Sequence, residues 1–260
     1  MIRVPAALAL TFSLALAATA SSASAQLPAL TVLTEEYPPF IVKQDTHAGG
    51  PYIEAFQRLA QEQGIAISLE LIPIRRAIAT AQSTPGVCVL ALDYAPSNAE
   101  VLLYLGRVAP EYVWAYARHG EDIHVRSIAD LKRYSIGIED IAQVRRQLDE
   151  ANVHYVVLTQ KTRGPQMLQA HRFDILIGDV GAELEAVNAG IALDKLYTVA
   201  GVERWIACNP NSDAAAMSLL RGALTEGLFS ESVHDIWNRY GLGSYFLQVH
   251  KSWVGGNSKP

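Results

Sequence analysis

The chain has 260 residues, half of them hydrophobic and 18% charged, with a formal net charge of -5. The charges are scattered and form no basic face, which excludes nucleic acid and anionic membrane surfaces as partners. Two cysteines far apart and seven dispersed histidines, none at ligand spacing with a second histidine or cysteine, exclude the common zinc sites.

At the N-terminus, Arg3 precedes an apolar run from Val4 to Ala18, and small residues follow down to "ASAQ". This predicts a secretory signal cleaved after Ala25. A membrane anchor, the competing reading, needs about 20 apolar residues, and this run is shorter and rich in alanine. No cysteine near the cleavage site could take a lipid anchor. The expected mature chain, 260 less 25 or 235 residues, fits one large domain or two of roughly 100 to 150 residues each.

"ALTVLT" then reads as a strand that runs into "EEYPPF", two carboxylates and two aromatics on a turn stiffened by prolines. "PYIEAFQRLAQEQG" sets Ile53, Phe56, Leu59 and Ala60 on one helical face, with Gly64 as its stop. "IAISLELIPI" returns to strand, "RRAIATAQS" is a short helix, and "GVCVLALDY" has the continuous apolar character of a strand buried on both faces. After "EYVWAYARHG" the pattern repeats. Ser127 caps "SIADLKRY", whose first turn holds Asp130. Then come strand "SIGIE", helix "DIAQVRRQLDEAN", strand "VHYVVL", helix "PQMLQAHR", strand "FDILIGD", helix "AELEAVNAG" and strand "KLYTV". The closing segment carries the strand "RWIACN" and two helices, the first capped by Asp213.

Strand and helix alternate in two blocks, which predicts an α/β fold of two lobes, each a mostly parallel sheet flanked by helices. The closing segment is too small for a third domain and is assigned to the first lobe. The expected division is residues 1–25 as signal, 26–115 with 207–260 as lobe 1, and 116–206 as lobe 2. The chain then crosses between lobes near Val113 to Ala117 and near Arg204 to Ala207, as short strands acting as a hinge. Ligands of open α/β sheets sit beyond the carboxyl ends of the strands. That rule directs Glu35, Glu36, Tyr37 and Phe40 toward a cleft, and with them Asp93 and Tyr94 at the end of "VCVLALDY". Asp93 buried alone would be costly, so an arginine or a cationic ligand is its expected neighbour. Cys88 and Cys208 admit two readings, a disulfide in an oxidising compartment or two buried thiols.

In their order and spacing, "LTVLTEEYPPFIV", "GGPYIEAFQRLAQEQG", "IPIRRA", "SIADLKRYSIGIED", "FDILIGD" and "GLFSESVHDIWNRYG" resemble family 3 of the bacterial extracellular solute-binding proteins, the polar amino-acid-binding type. The resemblance spans nearly the whole mature chain and implies the two-lobed type 2 periplasmic-binding fold. It implies capture of a small polar solute between closing lobes in the periplasm and delivery to an inner-membrane ABC permease. A monomer without cofactor is expected. Asp179 stands where many members hold a ligand's α-ammonium group. Asn98 stands where an arginine usually takes the ligand carboxylate, and it supplies neither charge nor a fork of donors. Ile74 replaces an aromatic, and Ile141 with Ala142 replaces a small Gly-Ser/Thr pair. These departures widen the expected ligand from amino acids to amines, short peptides, opines and other small polar solutes.

Arg75 opens a helix directed at the cleft and is a candidate for a ligand carboxylate, whereas Arg76 reads as solvated surface. Arg163 has two readings, a reach into the cleft from lobe 2 or an exposed loop residue. On the topology of the resembled fold, "GVCVL" and "WIACN" are neighbours, which implies a Cys88–Cys208 bridge. Hydrolase, nucleotide-binding and zinc-protease motifs are absent, so a binding protein rather than an enzyme is expected. Two alternatives stand beside import: a dehydratase-like enzyme with Glu35, Glu36, Glu139 or Asp179 as its acid, and a binding protein that presents its ligand to a sensor.

Overall fold

The computed structural model describes residues 29–159 and 163–254, without the side chains of Ala142 and Val254. The expected signal segment lies outside the described residues. In the first half, β1 (Ala29–Thr34) leads through a turn to the hairpin of β2 (Val42–Gln44) and β3 (His47–Gly49), then α1 (Pro51–Glu62), β4 (Ala66–Leu71), α2 (Ile74–Ser83), β5 (Val87–Asp93) and the short α3 (Pro96–Ala99). The 16-residue β6 (Leu103–Arg118) carries the chain across, and a 3-10 turn at Ile128–Arg133 follows, with the Ser127–Asp130 capping box that the sequence signals. Next come β7 (Ile136–Ile138), α4 (Ala142–Glu150), β8 (Val156–Val157), α5 (Gly164–Gln169), β9 (Ile175–Gly178) and α6 (Val180–Asn188). A second 16-residue strand, β10 (Leu193–Cys208), returns to α7 (Ala214–Ala223), α8 (His234–Arg239) and α9 (Gly243–Val254).

Eight strands form one sheet in the order β4-β1-β5-β10-β6-β9-β7-β8. The outer strands on each side pair in parallel, β1 with β4 and β5, and β7 with β8 and β9, as expected of strands joined by helices. The middle is antiparallel: β6 and β10 pair along their whole length, from Leu193 opposite Arg118 to Cys208 opposite Leu103. "KLYTV" and "RWIACN" are therefore two ends of a single strand. Register shifts at four points along β10 mark bulges, and each bulge bends and twists the ladder, so the sheet curls rather than lying flat.

Strand β5 pairs with β10 only over Arg204–Cys208, and β9 pairs with β6 only over Trp114–Tyr116. Between these regions, residues 110–113 of β6 and 200–203 of β10 have only each other as sheet neighbours, and Arg204, next along β10, also faces Asp93 of β5. A two-stranded ribbon thus joins the two halves of the sheet. The first half packs around an aromatic cluster in which Phe40 stacks on Tyr52 with centroids 4.5 Å apart and Phe229 stacks on Trp237 at 4.4 Å. The second half has its own aliphatic core of Ile136, Ile138, Val144, Leu148, Ile175 and Ile177.

Cys88 and Cys208 are register partners across β5 and β10, with sulfurs at bonding distance, 1.99 Å. This is the neighbourhood that the resemblance implies. Gly50, before α1, holds φ +101°, and a Cβ there would lie 2.4 Å from the Phe40 carbonyl oxygen. Gly50→Ala is expected to cost about 2–3 kcal/mol in chemical denaturation, since strained backbone and backbone overlap add. Equal stability of the variant would show that the Tyr37–Phe40 turn is free to move.

Candidate functional site

The ribbon and the strand ends beside it enclose a cleft of about 180 Å³ lined by Tyr37, Asp93, Glu111, Asp140, Ile141, Gln143, Asp179, Val202 and Arg204. Each side comes from a different part of the topology. Tyr37 follows β1 and Asp93 ends β5, Glu111 and Val202 lie on the ribbon with Arg204 at its end, and Asp140, Ile141 and Asp179 follow β7 and β9. The cleft is thus built where the strand-end rule puts it.

Arg204 organises the floor. Its Nε donates to Glu111 Oε2 at 2.8 Å, a terminal nitrogen lies 2.6 Å from the same oxygen, and another pairs with Asp93. The guanidinium also covers the Tyr37 ring, 4.5 Å from its centroid, and the Tyr37 hydroxyl donates to Glu111 Oε1. Glu111 is only 2% exposed; a buried carboxylate needs such partners. Burial pulls the Arg204 guanidinium down, but Glu111 and Asp93 outweigh it and hold its pKa above the ordinary arginine value. Asp93 thus has the arginine neighbour that its position calls for.

Across the cleft, Asp179 caps α6, its Oδ1 accepting from the Gly181 amide at 2.6 Å. Capping satisfies one orphan donor and complements the positive end of the helix. Glu139 is buried beside it, and its Oε2 accepts from the Asp179 amide at 3.3 Å. The Tyr116 hydroxyl donates to the Asp179 carbonyl. Burial, with Glu183, Asp179 and Glu139 nearby, pushes the Tyr116 phenol well above the ordinary tyrosine value. The two walls meet at the proline turn: Pro39 Cδ lies 3.4 Å from the position of a Cβ at Gly181. Asp140 is exposed and pairs with Arg145 at 3.0 Å.

Of the residues singled out in the sequence, the structure brings Tyr37, Asp93 and Asp179 into the cleft lining, with Glu139 directly behind Asp179. Phe40 is fully buried in the aromatic core, because the turn closes with the Ile41 amide on the Tyr37 carbonyl and folds Phe40 inward. Glu36 is exposed outside the lining, while Glu35 accepts from the Ile74 amide and so caps α2. Arg75 and Arg163 are exposed and outside the lining. Tyr94 is 58% exposed and packs on Tyr104, and Asn98 sits against the Tyr104 hydroxyl. Glu111, Asp140, Gln143 and Arg204 escaped the sequence reading. The signal for two of them was present: Glu111 stands between Pro110 and Tyr112 and Arg204 leads into the apolar "WIAC", charges of opposite sign close to the expected crossings.

Among the described residues no group of acidic, histidine or cysteine side chains could hold a metal ion, and no helix is long and apolar enough to cross a membrane. No protein-family model and no curated protein matches the sequence. Solved structures do. The chain is similar to substrate-binding domain 2 of Lactococcus lactis GlnP in its open conformation, at 13% identity and a TM-score of 0.62, covering 88% of this chain and 97% of that one. It has the type 2 periplasmic-binding fold. An ancestral arginine-binding protein bound to arginine is similar at 18% identity and a TM-score of 0.55, covering 82% and 97% of the two chains. An ancestral amino-acid-binding protein described as a precursor of cyclohexadienyl dehydratase is similar at 13% identity and a TM-score of 0.57, covering 82% and 95%. At these identities the likeness is one of fold, and the cleft of this chain carries its own set of side chains.

Proposed function

We propose that the chain is an exported solute-binding protein. Its two lobes, residues 26–115 with 207–260 and residues 116–206, close on a small polar solute, which an ATP-driven permease of the inner membrane then receives. The observation that carries this reading is the charged cleft at the ribbon, lined from both halves of the sheet, on a fold shared with amino-acid-binding proteins. A ribbon of two strands is a natural hinge, since few contacts resist its bending. Asp179 supplies a carboxylate at the mouth of α6, suited to an ammonium group. Tyr37 forms the opposing wall, beside the Arg204 floor. Export delivers Cys88 and Cys208 to an oxidising compartment, where the bond between them forms.

The test is the melting temperature of the purified protein against a panel of small polar solutes, because a ligand of the folded state stabilises it by RT ln(1 + [L]/Kd). Asp179→Ala is expected to weaken binding of the active solute by about 1–3 kcal/mol, and to cost about 1 kcal/mol of stability through the lost cap. Arg75→Ala, outside the lining, is expected to bind as the wild type does. Equal affinity in Asp179→Ala would remove Asp179 from the site. Glu139 and Asp179, two buried carboxylates joined through the Asp179 amide, favour a second reading as an enzyme. It predicts turnover of a bound solute, which chromatography of the incubated ligand detects.

A further inference from the structure

The cleft takes one face of β6. From Ala109 to Arg118 each residue of β6 has a partner in β10 in unbroken order, so side chains along this stretch alternate between the two faces of the sheet. Glu111 lines the cleft. Tyr112, Trp114 and Tyr116 therefore stand on the other face, in a row with ring centroids 5.9 and 6.3 Å apart. On that side lies a second groove, of about 310 Å³, lined by Leu184 and Val187 of α6 and, opposite them, by Gly241, Ser244 and Tyr245 around the start of α9. Lys195 belongs to the same lining and sets its amine over the Trp114 ring, 4.2 Å from the centroid.

This groove, like the cleft, is bordered by both halves of the sheet. Helix α6 follows β9 of the second half, whereas Tyr245 of α9 packs on Phe40 in the aromatic cluster of the first, with centroids 5.6 Å apart. The two sides come close at Gly241, which holds φ +70° and carries no side chain: a Cβ there would lie 4.0 Å from Leu184 Cδ1. The Tyr245 hydroxyl reaches the ribbon itself and donates to the Pro110 carbonyl at 2.9 Å. One helix thus borders both openings. Asp179, the N-cap of α6, lines the cleft, and the following turns line the groove. A hinge that bends toward one face opens the other, so a movement that carries Asp179 toward Tyr37 draws Leu184 and Val187 away from Gly241 and Ser244.

We propose that the groove between α6 and α9 sets the balance between open and closed lobes, and through that balance the affinity of the cleft. Contacts across the groove, that of Leu184 with Gly241 foremost, hold the cleft open, and bulk placed in the groove favours closure. The inference goes beyond the solute-binding reading and rests on it for its second half. A solute that binds the closed state has its apparent affinity lowered in proportion to the fraction of protein in that state. Leu184 and Gly241 are therefore positioning residues, which change the affinity through the hinge without touching the solute.

The experiment has a readout that needs no solute. Spin labels on keto-bearing residues introduced at the exposed positions of Arg76 on α2 and Arg146 on α4 report the distance between the lobes and leave the cysteine pair intact. Val187→Trp and Ser244→Trp add bulk at exposed positions on opposite walls of the groove. Each is expected to shorten that distance in the solute-free protein. Leu184→Ala should also shorten it while lowering the melting temperature, whereas Leu247→Trp, exposed on α9 outside the lining, should change neither. Thermal melts with arginine, lysine, glutamine, glutamate, 1,4-diaminobutane and succinate then select the strongest binder of the six for calorimetry. Both tryptophan variants should bind it about fivefold more tightly than the parent, the lower end of ordinary coupling between sites. An unchanged or longer distance in both tryptophan variants overturns the inference whatever the cleft binds, and a shorter distance with unchanged affinity overturns its second half. A shorter distance with no thermal shift for any of the six removes the solute-binding reading and leaves the groove's control of closure standing.

Discussion

Arg204→Ala is expected to be the most damaging single substitution in the cleft, lowering stability by about 3–5 kcal/mol, the usual cost of stranding one partner of a buried ion pair. The arginine side chain is 16% exposed and its Glu111 partner 3%, so solvent cannot take over the lost contact. Asp93, at 61%, is well hydrated and contributes little to that figure. For a chain of this size the loss corresponds to a drop of roughly 10 °C in melting temperature. Adding Glu111→Gln to the same variant removes the stranded charge, and the double variant is expected to recover part of the loss. The cycle of the two single variants and the double one isolates their coupling. Additive effects would mean that Glu111 and Arg204 do not share a site. The same variants should lose solute binding, because Arg204 also fixes the Tyr37 ring.

The second large effect is expected from the sulfurs. Cys88 and Cys208 are 120 residues apart in sequence, so their bond closes a loop that contains every element from β6 to α6. In the chain-entropy model a loop of this length contributes about 4–5 kcal/mol, by constraining the unfolded chain. A strong reductant, or the Cys88→Ala, Cys208→Ala double variant, should therefore lower the melting temperature by roughly 10 °C. The native protein should show no thiol that reacts with a labelling reagent after unfolding. Two reactive thiols and a melt indifferent to reductant would return the pair to buried thiols. Locally the bond fastens the returning end of β10 to β5, immediately beyond Arg204, so its loss should loosen the cleft floor as well as the fold.

Much of this architecture was legible because local patterns and the global fold agree. The alternation of helix and strand, the apolar run of β5, the capping box at Ser127 and the cap at Asp213 each leave a short-range trace, and each appears in the structure. Asp93 was legible from position alone, as a carboxylate that ends a strand, and Asp179 from the resemblance. The ribbon was not. In β10 the stretch between "KLYTV" and "RWIACN", residues 200–203, contains Gly201 and Glu203, and reads as a break. It is continuous strand because one partner strand and a cleft, rather than two sheet neighbours and a helix layer, surround it. Polar residues are at home there. Phe40 illustrates the opposite difficulty, since an aromatic on a proline turn at a strand's carboxyl end reads as facing a cleft, and only the direction of the turn carries it into the core. Arg75 likewise reads as the start of a helix directed at the cleft, but it is exposed outside the lining, and that helix start takes the Glu35 carboxylate instead.

The most direct test of capture in the cleft is backbone hydrogen exchange, with and without the solute that gives the largest thermal shift. Protection is expected on both walls and the floor together: the turn at residues 37–41, the ribbon at 110–113 and 200–203 with the adjoining Arg204, and the starts of α4 and α6. Protection confined to one half of the sheet would contradict closure of the two lobes on a solute held at Tyr37, Asp179 and Arg204.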